Sequence, residues 1–263
     1  MKYALVGHGR MGRAIGAEAA RRGHVEVAVI DSSSAALLSR EDLAPEHLGS
    51  PDVVFEFSRP DAAPANLRAL LHAGVAVVCG TTGFDLAPAL RRELDRAPRA
   101  FVLSANFSVG MGLFRSIVRE AGRLVAAAGQ HRPWILEAHH TGKADAPSGT
   151  ARELARILLD VDARFATVHE GNPRGHLADD ALQVLSLRAA AEPGTHTVGF
   201  DGEFDRITLS HAARSRAGFA IGAVLAAEWT PGRSGLHDFD EVLETVLDTA
   251  RRSARGAAGG ERT

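Results

Sequence analysis

The chain has almost no cysteine, and Cys79 is the single one in 263 residues. A disulfide within the chain is therefore excluded, and a reducing cytoplasm is the expected compartment. Long apolar runs are missing too, since none reaches the ~20 residues that a membrane-spanning helix needs. Residues 1–7 lead straight into a glycine turn, so we expect no signal peptide. These absences predict a cytoplasmic enzyme or binding protein without a membrane partner.

Strong charge of either sign is also absent. The formal net charge is -2, which provides no basic surface for nucleic acid, and we expect no such partner. Lysine is scarce: of the 30 lysine and arginine side chains, only Lys2 and Lys143 are lysines. Because arginine supplies positive charge elsewhere, Lys143 is a candidate for chemistry that needs a compact ammonium able to share a proton.

Two patterns of strands and helices divide the chain. In residues 1–108, short runs rich in Val and Ile alternate with amphipathic stretches, which predicts an α/β, Rossmann-like, doubly wound parallel sheet. Residues 109–215 place several strands in succession, which predicts a second, α+β domain with an open mixed sheet. Residues 216–263 are mostly helical and are expected to return to the first domain, ending in a loose tail from residue 251.

The first predicted strand runs into a glycine-rich turn that opens the first predicted helix. The turn has the spacing G-x-G-x-x-G and comprises Gly7, His8, Gly9, Arg10, Met11 and Gly12. Such glycines permit a tight turn, let a pyrophosphate approach the backbone, and let helix and strand pack closely. Asp31 ends the second strand, where a carboxylate can accept hydrogen bonds from an adenosine ribose. These residues predict an NAD(P) site, with a purely structural glycine turn as the alternative.

The residues after Asp31 bear on the choice of cofactor. Three serines follow at positions 32–34, and no arginine stands ready to take the 2′-phosphate of NADPH. The sequence therefore favours NADH over NADPH, although the serines or Arg10 could still accommodate the extra phosphate.

Two later turns end strands that would meet at the same edge of the sheet. Ligands of open parallel sheets bind outside the carboxyl ends of the strands. The residues of these turns are therefore candidate cofactor contacts: Phe57, Ser58, Gly80, Thr81 and Thr82. The alternative is that both are ordinary strand-to-helix turns.

The densest group of reactive side chains lies in residues 137–151, EAHHTGKADAPSGTA. Ser148 is a good helix N-cap, which would leave the amides of Gly149 and Thr150 free to hold an anion such as a carboxylate. Lys143 adds a mobile ammonium, and His139 can protonate a reacting atom near neutral pH. Solvated loop histidines and a zinc site are the alternatives. No further ligands stand at zinc spacing, so we expect no metal.

This segment resembles the signature loop of the dihydrodipicolinate reductase family, E-x-H-H-x-x-K-x-D-A-P-S-G-T-A, at every specified position. The glycine turn and residues 80–84, 105–110, 186–188 and 196–198 resemble other family segments in the same order, so the resemblance covers most of the chain. It implies that His139 is the general acid, and that Lys143 and His140 bind and polarise the substrate. Ser148, Gly149 and Thr150 would hold a carboxylate. Around the nicotinamide would lie Gly80, Thr82, Ala105, Asn106 and Phe107.

The resemblance also implies a reaction and an assembly. The family reduces 4-hydroxy-tetrahydrodipicolinate, via dihydrodipicolinate, to tetrahydrodipicolinate in lysine and diaminopimelate synthesis, with NADH or NADPH. Residues 1–108 and 216–263 would then form the dinucleotide-binding domain. Residues 109–215 would bind the small dicarboxylate and assemble a homotetramer through their sheet.

Two other functions fit parts of the sequence. Another NAD(P)-dependent dehydrogenase of a small amino or dicarboxylic acid would share the glycine turn but would not need the loop around Lys143. A non-catalytic NAD-binding sensor should have lost His139 or Lys143, and both are present. The chain also departs from the family pattern: Glu56 stands where an aspartate is common, Gly112 where an asparagine is common and Ala190 where a glycine is common.

Overall fold

The computed structural model describes residues 1–31, 43, 44 and 46–259. The serines at positions 32–34, which bear on the choice of cofactor, lie outside the described residues. The chain divides into two compact units, Met1–Val109 with Arg216–Thr263 and Gly110–Ser215. Within the described part of the chain, no helix is both long enough and apolar enough to cross a membrane.

The first unit begins with alternating strands and helices, as the sequence predicts. In chain order these are β1 (Lys2–Val6), α1 (Arg10–Arg21), β2 (Val25–Ile30), β3 (Val53–Glu56), α2 (Ala63–Ala73), β4 (Ala76–Cys79), α3 (Pro88–Asp95) and β5 (Ala100–Leu103). Every residue of β3 and β4 is buried, which is why these strands, apart from Glu56 at the end of β3, are continuous apolar runs rather than alternating ones.

The second unit contains two helices and a sheet. Its elements are α4 (Val109–Ala128), β6 (Arg132–His139), α5 (Gly149–Val161), β7 (Thr167–Glu170), β8 (Ala181–Arg188), β9 (Thr195–Asp201) and β10 (Arg206–Ala212). The five strands are ordered β10-β9-β6-β8-β7, with β6 parallel to β8 and antiparallel to β9. Apolar side chains of α4 and α5 pack on one face of this sheet in a core that includes Phe114, Val118, Leu154, Ile135 and Val198. The predicted mixed sheet is confirmed.

The chain then returns to the first unit through α6 (Ala217–Trp229), β11 (Gly235–His237) and α7 (Phe239–Gly259). The first sheet is six-stranded and parallel throughout, in the order β11-β5-β4-β3-β1-β2. One face is covered by side chains from α1, α6 and α7, and the other by side chains from α2 and α3. This is the predicted doubly wound architecture. The prediction of a loose tail from residue 251 was wrong up to Gly259, because the alanines and arginines there favour continuation of α7.

Candidate active site

A cavity of about 450 Å³ opens at the carboxyl ends of the central strands of the first unit. Eight of the predicted cofactor residues line it: Gly9, Arg10, Met11, Phe57, Ser58, Gly80, Thr81 and Thr82. Pro60 and Arg216 complete the lining, and Arg216, which directly precedes α6, was missed from the sequence. Three separate turns and two arginines thus surround one space with room for a ligand that carries phosphate groups.

Close backbone contacts explain the glycines around this cavity. A Cβ atom on Gly12 would lie 2.2 Å from the Gly7 carbonyl oxygen, and one on Gly7 would lie 2.3 Å from the Phe57 carbonyl oxygen. A Cβ on Gly80 would lie 2.1 Å from the Phe57 ring. Gly9 differs from these three, since the space beside its α-carbon is open. The turn therefore has the close helix–strand packing and the accessible backbone that a pyrophosphate requires.

The predicted contacts after β5 are not in the lining of this cavity. Phe107 is buried in the core, where its ring lies 5.9 Å from that of Phe57 and 5.1 Å from that of Phe239. Ala105 is exposed, and Asn106 shapes the turn by accepting a hydrogen bond from the Ser108 amide at 2.9 Å. Phe107 therefore supports Phe57 from behind, while Ala105 and Asn106 remain predicted cofactor contacts.

Asp31 lies next to the glycine turn and His8 within it, and neither is part of the cavity lining. The Gly7 amide donates a 2.8 Å hydrogen bond to the carbonyl of Ile30, which holds the end of β2 beside the turn. Asp31 follows directly and is exposed, so its carboxylate is available to a ligand. The carbonyl of His8 accepts a 2.9 Å hydrogen bond from the side chain of Arg13 in α1.

A fully buried glutamate ties together two of the turns that line the cavity. Glu56 ends β3, and its carboxylate accepts hydrogen bonds from the hydroxyls of Ser58 and Thr81, the Asn66 amide and the Cys79 thiol. The Thr81 oxygen, 2.6 Å from Glu56, also accepts the Ser58 amide at 2.9 Å. Four neutral donors thus satisfy the oxygens of this buried carboxyl group. Its role as the link between the two turns was missed from the sequence.

The signature loop of the second unit is built around a second buried glutamate. Glu137, in β6, has no exposed surface. The guanidinium of Arg188, at the end of β8, donates hydrogen bonds of 2.9 and 3.0 Å to its two carboxylate oxygens. Nδ1 of His139 contacts the same carboxylate, and the Ser148 amide donates to it at 3.2 Å. Burial would raise the pKa of Glu137, but hydrogen bonds from Arg188, Ser186 and His139 outweigh it and lower that pKa to about 2. Glu137 is therefore an anion throughout the working pH range.

Arg188 also holds the part of the loop that carries the lysine. Its guanidinium donates to the carbonyl oxygens of Lys143 at 3.3 Å and Asp145 at 2.5 Å. Nζ of Lys143 lies 2.7 Å from the Asp145 carboxylate, and this contact lowers the pKa of Asp145. Lys143, the one lysine of the second unit, is thus half-buried and paired with Asp145. Its backbone is held by Arg188, the same residue that binds the Glu137 partner of His139.

Ser148 caps α5, as the sequence predicts. Its hydroxyl oxygen accepts the Ala151 amide at 3.2 Å and lies 3.1 Å from Nε2 of His196. His196, in β9, is buried, and its ring centroid lies 5.1 Å from that of His139. Burial and the nearby His139 lower the pKa of His196 to about 4, so its imidazole is neutral at ordinary pH. Ser148 is itself buried, which makes capping its evident structural role.

The remaining predicted loop residues differ in exposure. His140 and Gly149 are exposed and Thr150 is half-buried, so all three can be reached by a ligand. Across the described ranges, no three His, Cys, Asp or Glu side chains are grouped as a metal site would require. Sequence reasoning missed three members of the loop's hydrogen-bond network, Glu137, Arg188 and His196.

Two family models match nearly the whole chain. The N-terminal model of dihydrodipicolinate reductase matches residues 1–107, and the C-terminal model matches residues 110–243. The chain belongs to the dihydrodipicolinate reductase family. A relative from Christiangramia forsetii, named 4-hydroxy-tetrahydrodipicolinate reductase, is 33% identical over 94% of this chain and 99% of its own. A relative of the same name from Methanoregula boonei is 35% identical over 89% of this chain and 94% of its own.

Solved structures share the fold of this reductase family member. A dipicolinate-bound dihydrodipicolinate reductase from Paenisporosarcina sp. TG-14 has a TM-score of 0.73 and 22% identity, covering 90% of this chain and 97% of its own. An amine dehydrogenase from Mycobacterium smegmatis has a TM-score of 0.54 and 12% identity, covering 91% of this chain and 95% of its own. Family and fold together confirm the predicted family, the predicted fold class and an NAD(P)H-dependent oxidoreductase.

Proposed function

We propose that this reductase converts 4-hydroxy-tetrahydrodipicolinate, via dihydrodipicolinate, to tetrahydrodipicolinate in lysine and diaminopimelate synthesis. The observation that carries the proposal is the intact signature loop, folded so that the buried Glu137–Arg188 pair holds both His139 and the backbone of Lys143. The names of the full-length relatives agree with this substrate.

In the proposed reaction, the loop supplies the proton and the positive charge. Bound NAD(P)H would supply a hydride from its nicotinamide C4. The electron-rich ring that results must gain a proton, and His139 donates it from Nε2, because Nδ1 is engaged with Glu137. The Lys143 ammonium and His140 stabilise the developing charge. Gly149 and Thr150, at the N-terminus of α5, hold a carboxylate, and Ser148 keeps that turn in shape.

The cofactor site of the proposal is the cavity of the first unit with the residues around it. The backbone of the turn from Gly7 to Gly12 would hold the pyrophosphate, and the nicotinamide half would lie beside Phe57, Ser58, Gly80, Thr81 and Thr82. Ala105 and Asn106 would complete that half from the turn after β5, with Phe107 packed behind Phe57. We propose NADH as the preferred cofactor, because the exposed Asp31 carboxylate would accept ribose hydroxyls and repel a 2′-phosphate.

We further propose a cytoplasmic homotetramer that assembles through the sheet of the second unit. Trp134 and Leu136 alternate with the buried Ile135, so they lie on the sheet face opposite α4 and α5. Leu187, on the same open face, is 51% exposed. These apolar side chains support burial against another copy of the chain, and the free thiol of Cys79 is compatible with a reducing compartment.

The direct test follows the oxidation of NADH, and separately of NADPH, by the purified enzyme with freshly generated 4-hydroxy-tetrahydrodipicolinate. Rapid oxidation is expected, with a higher kcat/KM for NADH. No oxidation with either cofactor, in folded protein that binds NADH, would favour another dehydrogenase or a non-catalytic sensor. The Lys143→Arg variant keeps the positive charge but removes the compact ammonium, so comparing its rate with that of wild type isolates the role of the ammonium.

A further inference from the structure

Glu137 contacts several parts of the loop at once. One carboxylate oxygen receives Arg188 Nη2 and the Ser148 amide, and the other receives Arg188 Nη1 and His139 Nδ1. These partners belong to β8, to the start of α5 and to the end of β6. A fully buried carboxylate with these four contacts, and with a hydrogen bond from the Ser186 side chain as well, leaves His139 very little freedom to rotate.

We propose that Glu137 and Arg188 are positioning residues that fix the ring and tautomer of His139 and the backbone of the Lys143 segment. This rests on the proposed function, in which His139 is the proton donor. Neither residue touches the reacting atoms, and both act through the groups they hold.

The tautomer follows from the hydrogen-bonding capacity of the two partners. An ionised carboxylate has no proton to donate, so the His139 nitrogen that faces Glu137 must carry the hydrogen. Neutral His139 is therefore the Nδ1–H tautomer, and Nε2 is the nitrogen that gains and loses the catalytic proton. Carboxylates fix metal-bound histidines in the same way, by accepting a hydrogen bond from the ring nitrogen that does not bind the metal.

Arg188 has two functions in this arrangement. It neutralises Glu137, which keeps the carboxylate from taking the proton of His139, in line with the low pKa of Glu137. The same guanidinium reaches the carbonyls of Lys143 and Asp145, so one side chain connects the acid to the ammonium. A lysine at this position could not make these four planar contacts together.

The decisive test is the Glu137→Gln variant, because its amide must place an NH₂ group where an oxygen was. On the Oε1 side that group would face two fixed donors, Arg188 Nη2 and the Ser148 amide, whereas on the Oε2 side it faces one, Arg188 Nη1. The Ser186 hydroxyl can rotate to accept from the NH₂ group on either side. The NH₂ group therefore settles against His139 Nδ1, and the neutral imidazole switches to the Nε2–H tautomer. Turnover should fall on the order of 10²-fold, while the Kd for pyridine-2,6-dicarboxylate and for NADH changes less than about twofold.

The tautomer is read by ¹⁵N NMR of the His139 ring in the full chain without substrate. Wild type should show a protonated Nδ1 and a bare Nε2, and Glu137→Gln should show the reverse. A bare Nδ1 in wild type would overturn the proposal even if the variant did not fold. Unchanged turnover and tautomer in a folded variant would overturn it too. Because this measurement needs no turnover, an inactive wild-type enzyme would count against the proposed substrate and not against the positioning role.

Asp162→Asn is the matched control in the same unit. Asp162 is also buried and is also held by an arginine, Arg164, with hydrogen bonds of 2.9 and 2.6 Å. It follows α5 at the end far from the signature loop. This variant should lose stability as Glu137→Gln does, yet keep the His139 tautomer and the turnover of wild type. Equal losses of turnover in both variants would show a merely structural role for Glu137.

Discussion

The hydroxyl oxygen of Ser148 lies 3.1 Å from Nε2 of His196, so the first turn of α5 is joined directly to β9. Both residues are buried, and Nδ1 of His196 has no hydrogen-bond partner among the described residues. The contact gives the N-terminus of α5 two supports, the Ser148 cap and the sheet. Because both side chains are buried, we expect each of them to contribute to the stability of the second unit.

Ser148→Ala should destabilise the protein by about 2–3 kcal/mol. The helix loses its N-cap, which accounts for about 1 kcal/mol, and Nε2 of the buried His196 loses its partner as well. Urea unfolding measures the change. Ser234→Ala is the control, because Ser234 is exposed in the turn before β11 and loss of its hydroxyl should change stability by less than about 0.5 kcal/mol. Equal midpoints for both variants would contradict the role of Ser148.

The buried His196 should make stability fall as the pH drops below neutrality. Burial and His139 lower its pKa from 6.5 to about 4, so the unfolded chain binds that proton more readily than the folded one. The stabilising effect of neutral His196 is complete above pH 6.5 and is lost progressively towards pH 4. A shift of this size corresponds to at most about 3 kcal/mol.

His196→Gln should flatten this pH dependence, since glutamine does not titrate. The free energy of unfolding is measured for both proteins from neutrality down to pH 4.5, the ordinary pKa of a glutamate, below which Glu137 also begins to contribute. His211, whose pKa burial also lowers, titrates in both proteins and leaves a common slope. Parallel curves for wild type and variant would show that His196 is not the responsible group.

Much of the fold could be predicted because its strands are marked by local sequence. The fully buried strands β3 and β4 are apolar at nearly every position, and this pattern needs no knowledge of distant residues. Two edge strands were missed for the opposite reason. β7 (Thr167–Glu170) is polar and mostly exposed, and β11 (Gly235–His237) has only three residues, so pairing with a neighbour defines both.

The catalytic loop could be predicted from its composition, but the hydrogen-bond network that holds the loop could not. Arg188 is 51 residues away from Glu137, and no local pattern joins them. One signal was available. Glu137 lies two residues after Ile135 on the inward face of β6, and a charged residue at an inward strand position needs a buried partner. The same reasoning applies to Glu56, which follows three buried apolar residues of β3.

Glu56→Gln should weaken NADH binding on the order of 3–10-fold. The amide removes one of the two oxygens that accept four donors, so the turns carrying Ser58 and Thr81 are no longer held together. Isothermal titration measures the Kd. Glu93→Gln is the control, because Glu93 is an exposed partner of Arg68 and lies outside the cavity lining. Wild-type affinity in Glu56→Gln would show that the network does not shape the cofactor site.

Asp31→Ala should weaken NADH binding and leave NADPH binding less affected. Removal of the carboxylate takes an acceptor from the adenosine ribose, and it also removes a negative charge that would repel a 2′-phosphate. The preference for NADH over NADPH, measured as the ratio of the two Kd values, should therefore decrease. The kcat with saturating cofactor should stay near that of wild type. An unchanged NADH affinity would mean that Asp31 does not contact the ribose.

His139→Gln should lower turnover on the order of 10²–10⁴-fold and leave NADH affinity nearly unchanged, because the change removes only the proton donor. Stopped-flow reduction with saturating substrate and NADH separates the chemical step from binding. His131→Gln is the control: His131 directly precedes β6 at the end opposite His139, and it pairs with Asp205 on the surface. Its turnover should match that of wild type. If His139→Gln also turned over normally, the proton would have to come from another group. Lys143, whose backbone is held by Arg188, would then be the next residue to substitute.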